Sequence, residues 1–150
     1  MGYYIDIRPK DSTPLTREAY KQRFIDFGLE QHHGLYDEYQ SEAGRESNRF
    51  DVLFSGGYIT ICDDETAPSG VVASARLSWS YDAQGIRALA MELLMIARGT
   101  NSEVIHPVTS EALRPDNLDS LVDVYCGNKR RIGKFLGFCK PPPADSKDST

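Results

Sequence analysis

The sequence lacks any apolar run that approaches the roughly 20 residues of a membrane-spanning helix. It also lacks the start of a signal peptide, because Met1 to Ile7 alternates apolar and polar residues and meets Arg8 and Pro9 at once. These two absences predict a cytoplasmic protein that does not contact a membrane.

The local signatures of common active sites are missing as well. The chain contains no Gly-x-Ser-x-Gly, no phosphate-binding glycine loop, no Cys-x-x-Cys and no His-Glu-x-x-His. Its three cysteines, Cys62, Cys126 and Cys139, are odd in number and lack metal-ligand spacing, so reduced thiols are expected. A Cys126–Cys139 bridge is the alternative for oxidising surroundings. The sequence therefore predicts a protein that is not an enzyme and binds no metal or cofactor.

Negative charge is unevenly distributed. The formal net charge is −5, but residues 1–127 contain 11 basic and 20 acidic side chains, a net −9, whereas residues 128–140 contain five basic side chains and no acidic one. The net negative charge of residues 1–127 argues against nucleic-acid binding and suits a cationic protein partner. The alternative is that the acidic side chains serve solubility alone.

The stretch from Val71 to Pro107 has the clearest secondary-structure pattern. Apolar and polar residues alternate from Val71 to Trp79, which is typical of a half-buried strand. Asp82 can cap the following helix, Gly99 can end it, and Glu103–His106 extends again. The apolar residues on one face of this helix are Ile86, Leu89, Ala90, Leu93 and Ala97.

In the N-terminal half, the sequence predicts three more strands and a helix. Residues 3–7 alternate as a strand that ends at Pro9, and Thr13 or Thr16 caps a helix with Tyr20, Phe24 and Phe27 on one face and Gly28 at its end. Residues 51–54 and 58–62 flank Ser55-Gly56-Gly57, which predicts a hairpin whose glycines adopt positive φ. Residues 30–49 are polar without a period and predict a long loop.

In the C-terminal part, the sequence predicts a helix that begins at Pro115 and ends at Gly127, followed by a short helical segment up to Phe138. The buried residues of the first of these helices are Leu118, Leu121, Val122 and Tyr125. Residues 141–150 predict a disordered tail. The expected fold is a single α+β domain over residues 1–140, with a largely antiparallel sheet of about five strands and helices packed mainly on one face.

Acidic side chains cluster in three surface segments, two of which predict a partner-binding site. The first lies in the polar loop, where tyrosines that can anchor an interface stand beside carboxylates. The second joins two strands, and the third, Asp116, Asp119 and Asp123, suits a helix N-terminus. The predicted partner-binding residues are Tyr36, Asp37, Glu38, Tyr39, Glu42, Glu46, Asp63, Asp64 and Glu65.

Two other interpretations stay open. His32 or His33 could carry protons in a small enzyme or ligand-binding domain, although adjacent histidines point apart and make a poor metal site. The central helix also carries Met91 and Met95 on a second apolar face, which predicts either coverage by the C-terminal helices or association with a second copy as a homodimer.

Two segments, L89-A-M-E-L-L-M-I-A-R-G and S102-E-V-I-H-P-V-T-S-E-A-L-R-P-D-N-L118, follow a pattern of small bacterial proteins. In that pattern a Leu- and Ala-rich helix leads to a strand, a Pro-containing turn and a Pro-Asp-Asn helix start. In size, acidity and α+β build the chain resembles immunity proteins, which neutralise toxins that bacteria deliver to one another. The resemblance implies a cytoplasmic inhibitory protein that covers the active site of a toxin or effector, and it assigns no functional residue.

Overall fold

The computed structural model of the protein describes the backbone of residues 2–31 and 51–136 and the side chains of these residues up to Ile132. The strands are β1 (Tyr3–Pro9), β2 (Glu30–Gln31), β3 (Val52–Phe54), β4 (Gly57–Asp63), β5 (Val71–Leu77) and β6 (Ser102–Ile105). The helices are α1 (Arg17–Phe27), α2 (Ala83–Gly99) and α3 (Leu118–Leu136), and a 3-10 turn at Pro115–Asn117 precedes α3.

The described strands form one antiparallel sheet in the order β2-β3-β4-β5-β1-β6. The predicted α+β class and antiparallel sheet are confirmed. β1 lies between β5 and β6, so that Ile5 stands opposite Ala75 and Ile7 opposite Val104. The N-terminal strand therefore pairs with two strands that both lie far from it in the sequence.

One face of the sheet is apolar and the helices pack against it. Alternate residues of β1 and β5, such as Ile5, Ile7 and Ala73, are buried, while their neighbours are at least partly exposed, as the alternation of a pleated strand requires. The helix side of this core consists of Tyr20 and Phe24 from α1, Ile86, Leu89, Ala90, Leu93, Ile96 and Ala97 from α2, and Leu118, Leu121, Val122 and Tyr125 from α3. These are the predicted core residues without Phe27 and with the addition of Ile96.

Side-chain caps start the first two helices where the sequence predicts them. The Thr16 hydroxyl accepts a hydrogen bond from the Ala19 amide at 3.0 Å, and the Asp82 carboxylate accepts one from the Gly85 amide at 2.7 Å. At the end of α1, Gly28 has a φ of 121°, and its amide donates to the Ile25 carbonyl.

The predicted β3–β4 hairpin is confirmed, but only one of its two glycines has the predicted positive φ. Gly56 is not among the residues with positive φ; Gly57 is, with a φ of 158°. A Cβ atom on Gly57 would lie 2.0 Å from the Arg76 carbonyl oxygen of β5. Close approach of two strands therefore requires glycine at this position.

Four expectations were wrong. The segment 30–49 begins as a strand, because Glu30 and Gln31 pair with β3. α3 continues through Gly127 to Leu136 instead of ending at this glycine, so the separate C-terminal helical piece does not exist in the described range.

The Phe27 ring lies against Gly99 rather than inside the core and stays 40% exposed. Met91 and Met95 of α2 are not covered by α3 and remain 42% and 64% exposed.

Candidate functional site

The face of the sheet opposite the helices carries polar and aromatic side chains at intermediate or high exposure. We call it the open face. Its members on the three central strands are Tyr4, Asp6, Arg8, Tyr58, Thr60, Cys62, Val72, Ser74 and Arg76. The antiparallel register places Tyr58 and Tyr4 on either side of Arg76, and Thr60 and Asp6 on either side of Ser74. The open face thus has an aromatic end and, at the other end of β4, an acidic one.

The acidic end is built by the connection between β4 and β5. Asp64 organises this connection: its carboxylate accepts hydrogen bonds from the amide of Thr66 at 3.0 Å and from its hydroxyl at 2.6 Å. These bonds hold the pKa of Asp64 below its usual range, so the carboxylate stays charged in a fixed turn. The side chain of Asp63 is 75% exposed, and its ion pair with Arg17 is long, at 3.8 Å.

Asp6 joins this acidic end from β1. Partial burial on the open face is the main cause that raises its pKa, the Arg8 guanidinium works in the opposite direction, and the Asp64 carboxylate adds to the rise. The pairing of β1 with β5 and of β5 with β4 thus brings Asp6 within electrostatic range of Asp64, although 57 residues separate them in the sequence. We call Asp6, Asp63, Asp64 and Glu65 the acidic patch.

Cys62 lies among these carboxylates and is half-buried. Burial is the main cause that raises the pKa of its thiol, and Asp51, Asp63 and Asp6 raise it further, against Arg17. A thiol with a raised pKa is a poor nucleophile because the thiolate is the reactive form. Neither Cys62 nor Cys126 forms a disulfide with a residue that the structure describes, in agreement with the prediction for Cys62. The Cys126–Cys139 pair stays a prediction, since Cys139 lies outside the described residues.

The aromatic end of the open face centres on Arg76. Its guanidinium donates a hydrogen bond to the Tyr58 hydroxyl at 2.6 Å and lies 5.4 Å from the centre of the same ring. Tyr4, which pairs with Arg76 on the other side, is 55% exposed. Tyrosine and arginine dominate the energetics of protein interfaces, because they combine a large apolar surface with hydrogen-bonding groups.

The predicted partner-binding residues divide into two groups. Asp63, Asp64 and Glu65 lie in the β4–β5 connection, where the structure adds Asp6 to them. Tyr36, Asp37, Glu38, Tyr39, Glu42 and Glu46 lie outside the described residues. The structure thus defines one part of the predicted surface.

The acidic residues at the start of α3 are partly neutralised by local partners. Asp119 forms an ion pair with Arg87 of α2, and Asp116 forms one with Arg114 at 3.1 Å. These contacts agree with the structural interpretation of the third acidic cluster as charges at a helix start.

His106, the histidine that the structure describes, holds the chain after β6 in place through hydrogen bonds. His106 is 2% exposed; its Nδ1 atom accepts hydrogen bonds from the amides of Val108 and Thr109 at 3.1 and 3.2 Å. Because Nδ1 accepts these bonds, the ring proton lies on Nε2, which is 3.0 Å from the Ser120 hydroxyl. His32 and His33 lie outside the described residues. Within residues 2–31 and 51–136, no three metal-ligating side chains are grouped closely enough to hold an ion.

Several residues of the open face could not be identified from the sequence. The sequence alone does not distinguish four of them from other polar or aromatic residues of alternating strands: Tyr4, Asp6, Tyr58 and Arg76. The available signal was the alternation itself, which assigns all four to the face away from the core. Which strands are neighbours, and hence which side chains meet, depends on long-range pairing.

Comparison with protein-family models, with curated proteins and with solved structures finds no match to this chain. In the part of the chain that the structure describes, no helix has the length and apolar character required to span a membrane.

Proposed function

We propose that the chain is an inhibitory binding protein that neutralises a toxin or effector by covering a basic active-site region with its acidic patch. The observation that carries the proposal is the position of Asp6 on β1 near the β4–β5 connection, which contains Asp63, Asp64 and Glu65, at one end of a sheet face that the described helices leave uncovered. The resemblance to immunity proteins supports the same function.

Electrostatics explains how such a surface works. Several carboxylates close together attract a cationic partner over about a Debye length, about 8 Å at physiological ionic strength, and speed the encounter. The Asp64 turn and the strand position of Asp6 fix two of these charges before the partner arrives, so little ordering entropy is lost on binding.

The aromatic end supplies the second component of affinity. Tyr4 and the Tyr58–Arg76 pair lie on the same face as Asp6 and offer apolar surface and hydrogen bonds. Long-range charge steers the partner, and contacts of this kind slow its dissociation. A basic partner that covers the open face would bury both ends together.

The test is affinity capture from the native host, with the captured protein identified by mass and its toxicity measured on expression. Two double variants are compared with the native protein. Asp63→Lys with Glu65→Lys reverses exposed charges of the patch and spares the Asp64 turn; Glu111→Lys with Asp123→Lys makes the same change of charge at exposed positions elsewhere.

The proposal predicts that the native chain and the control variant capture one basic protein and suppress its toxicity on co-expression, and that the patch variant does neither. Suppression by the patch variant as complete as by the native chain would reject the acidic patch as the inhibitory surface. Capture of a partner whose activity the native chain leaves unchanged would reject inhibition.

A further inference from the structure

A second surface lies on the helix side of the sheet, at its β6 edge. Met91 and Met95 stand four residues apart on α2 and therefore share one face, with Leu94 beside them. Methionine adapts its shape to a partner because its side chain is unbranched and polarisable. Two exposed methionines next to each other thus form an adaptable apolar wall.

The opposite wall is the chain segment that returns along β6. The Leu113 amide donates to the Val104 carbonyl at 2.7 Å, and the His106 amide donates to the Glu111 carbonyl at 2.8 Å. These bonds hold residues 112–115 beside the strand. Between the two walls lies a groove with a cavity volume of about 350 Å³, and its apolar lining includes Met91, Leu94, Met95, Ala112, Leu113 and Pro115.

The charge of this groove is opposite to that of the chain. Lys10, Arg98 and Arg114 line it together with one acidic residue, Glu103. Arg114 is paired with Asp116, whereas Lys10 and Arg98 form no ion pair with any residue that the structure describes. An acidic protein thus presents beside an apolar groove two cations that form no ion pair with a described residue, against a single acidic side chain in the lining.

The end of the groove near these cations is held in place by the backbone. The Lys10 amide donates to the Asn101 carbonyl at 2.9 Å, and the Asn101 side-chain amide donates to Asp11 at 3.3 Å. Asn101 itself has a φ of 54° in the turn between α2 and β6. A groove whose end is fixed in this way needs little reorganisation to accept a ligand.

We infer that the groove binds a peptide segment of a partner protein, in which an apolar side chain is flanked by carboxylates. The apolar side chain would pack between the two methionines and Leu113, and the carboxylates would pair with Lys10 and Arg98. This partner chemistry differs from that of the acidic patch, so the inference does not depend on the proposed inhibitory function.

The test selects ligands from a random dodecapeptide library displayed on phage, and measures the affinity of an enriched, labelled peptide by fluorescence anisotropy. Lys10→Glu with Arg98→Glu reverses the groove charges, and Arg130→Glu with Arg131→Glu is the matched control on exposed positions of α3. Circular dichroism and thermal unfolding verify that both double variants are folded.

The inference predicts enriched sequences that combine an apolar residue with aspartate or glutamate. It also predicts that the groove variant binds them at least about tenfold more weakly than the native protein and the control do. Met95→Glu should weaken binding as well, because it places a charge on the apolar wall.

Three results would overturn the inference. They are the absence of any enriched peptide, enrichment of sequences without carboxylates, and equal affinity of the groove variant and the native protein. Light scattering adds a fourth: a dimer at micromolar concentration that Met95→Glu dissociates would assign the groove to a second copy of the chain.

Discussion

Arg23 and Asp11 form an ion pair with two parallel hydrogen bonds, in which each guanidinium Nη atom donates to one carboxylate oxygen at 2.8 Å. Arg23 also donates to the Thr100 carbonyl at 3.3 Å. The pair therefore joins α1 to the segment after β1 and to the end of α2. Hydrogen bonds from Arg23 are the main cause that holds the pKa of Asp11 below its usual range.

Replacement of Asp11 by Asn should lower the free energy of unfolding at pH 7 by about 1–2 kcal/mol, a value reduced for partial exposure of the pair. Because the folded-state pKa of Asp11 is lowered, its contribution is complete above the unfolded pKa of about 3.9 and is lost as the pH falls through the folded value. Urea unfolding of both proteins from pH 7 to pH 3 measures the difference, which should shrink in acid.

Asp26→Asn is the control, because Asp26 is exposed on α1 and its carboxylate accepts a hydrogen bond from Gln22. It should change stability by less than about 0.5 kcal/mol. A difference between native protein and Asp11→Asn that stays constant down to pH 3 would show that the ionisation of Asp11 does not contribute to stability.

Gly127→Ala should raise the free energy of unfolding by about 0.5–1 kcal/mol, because alanine loses less backbone entropy than glycine inside a helix. Gly127 lies within α3, and a Cβ atom there would meet nothing within 4 Å. Thermal or urea unfolding measures the change. A loss of stability would instead indicate a helix end at Gly127 with a left-handed conformation.

Replacement of tyrosine by phenylalanine is expected to have opposite effects on the free energy of unfolding at Tyr3 and at Tyr20. The Tyr20 hydroxyl lies 2.6 Å from the Ser102 hydroxyl and 3.3 Å from the Ile7 carbonyl, so Tyr20→Phe should cost about 1–2 kcal/mol. Among the residues that the structure describes, the buried Tyr3 hydroxyl has no hydrogen-bond partner, and burial raises the pKa of Tyr3 to about 12.

Tyr3→Phe should therefore leave the free energy of unfolding unchanged or raise it by up to about 2 kcal/mol, because it removes a desolvated group without breaking a bond. The ring contacts with Trp79 and Tyr125, at centroid distances of 5.2 and 5.4 Å, would remain. Urea unfolding of the two variants side by side provides the comparison. Equal losses would contradict the assignment of the two hydroxyls.

Local patterns sufficed to predict most of the elements. The alternation in β1 and β5, the caps Thr16 and Asp82, and the apolar face of α2 are encoded within a few residues, and the structure confirms them. Gly127 misled the prediction because glycine is common at helix ends, although a helix packed through Leu121 and Tyr125 tolerates its cost.

Long-range pairing explains what the sequence could not predict. Phe27 has the helical spacing of a core residue, yet its ring meets Gly99, which lies 72 residues further along the chain. Asp6 meets the β4–β5 connection because β1 pairs with β5, and no spacing in the sequence indicates that pairing. The carboxylates of the connection were predicted, whereas the partner carboxylate on β1 was not.

The proposed inhibitory function places the contact with the partner on the acidic patch. Its most direct test is the dissociation constant of the captured partner, measured by isothermal titration calorimetry with the two double variants at one salt concentration. The proposed function predicts affinity at least about 30-fold weaker for Asp63→Lys with Glu65→Lys than for Glu111→Lys with Asp123→Lys. Equal dissociation constants for the two variants would contradict it.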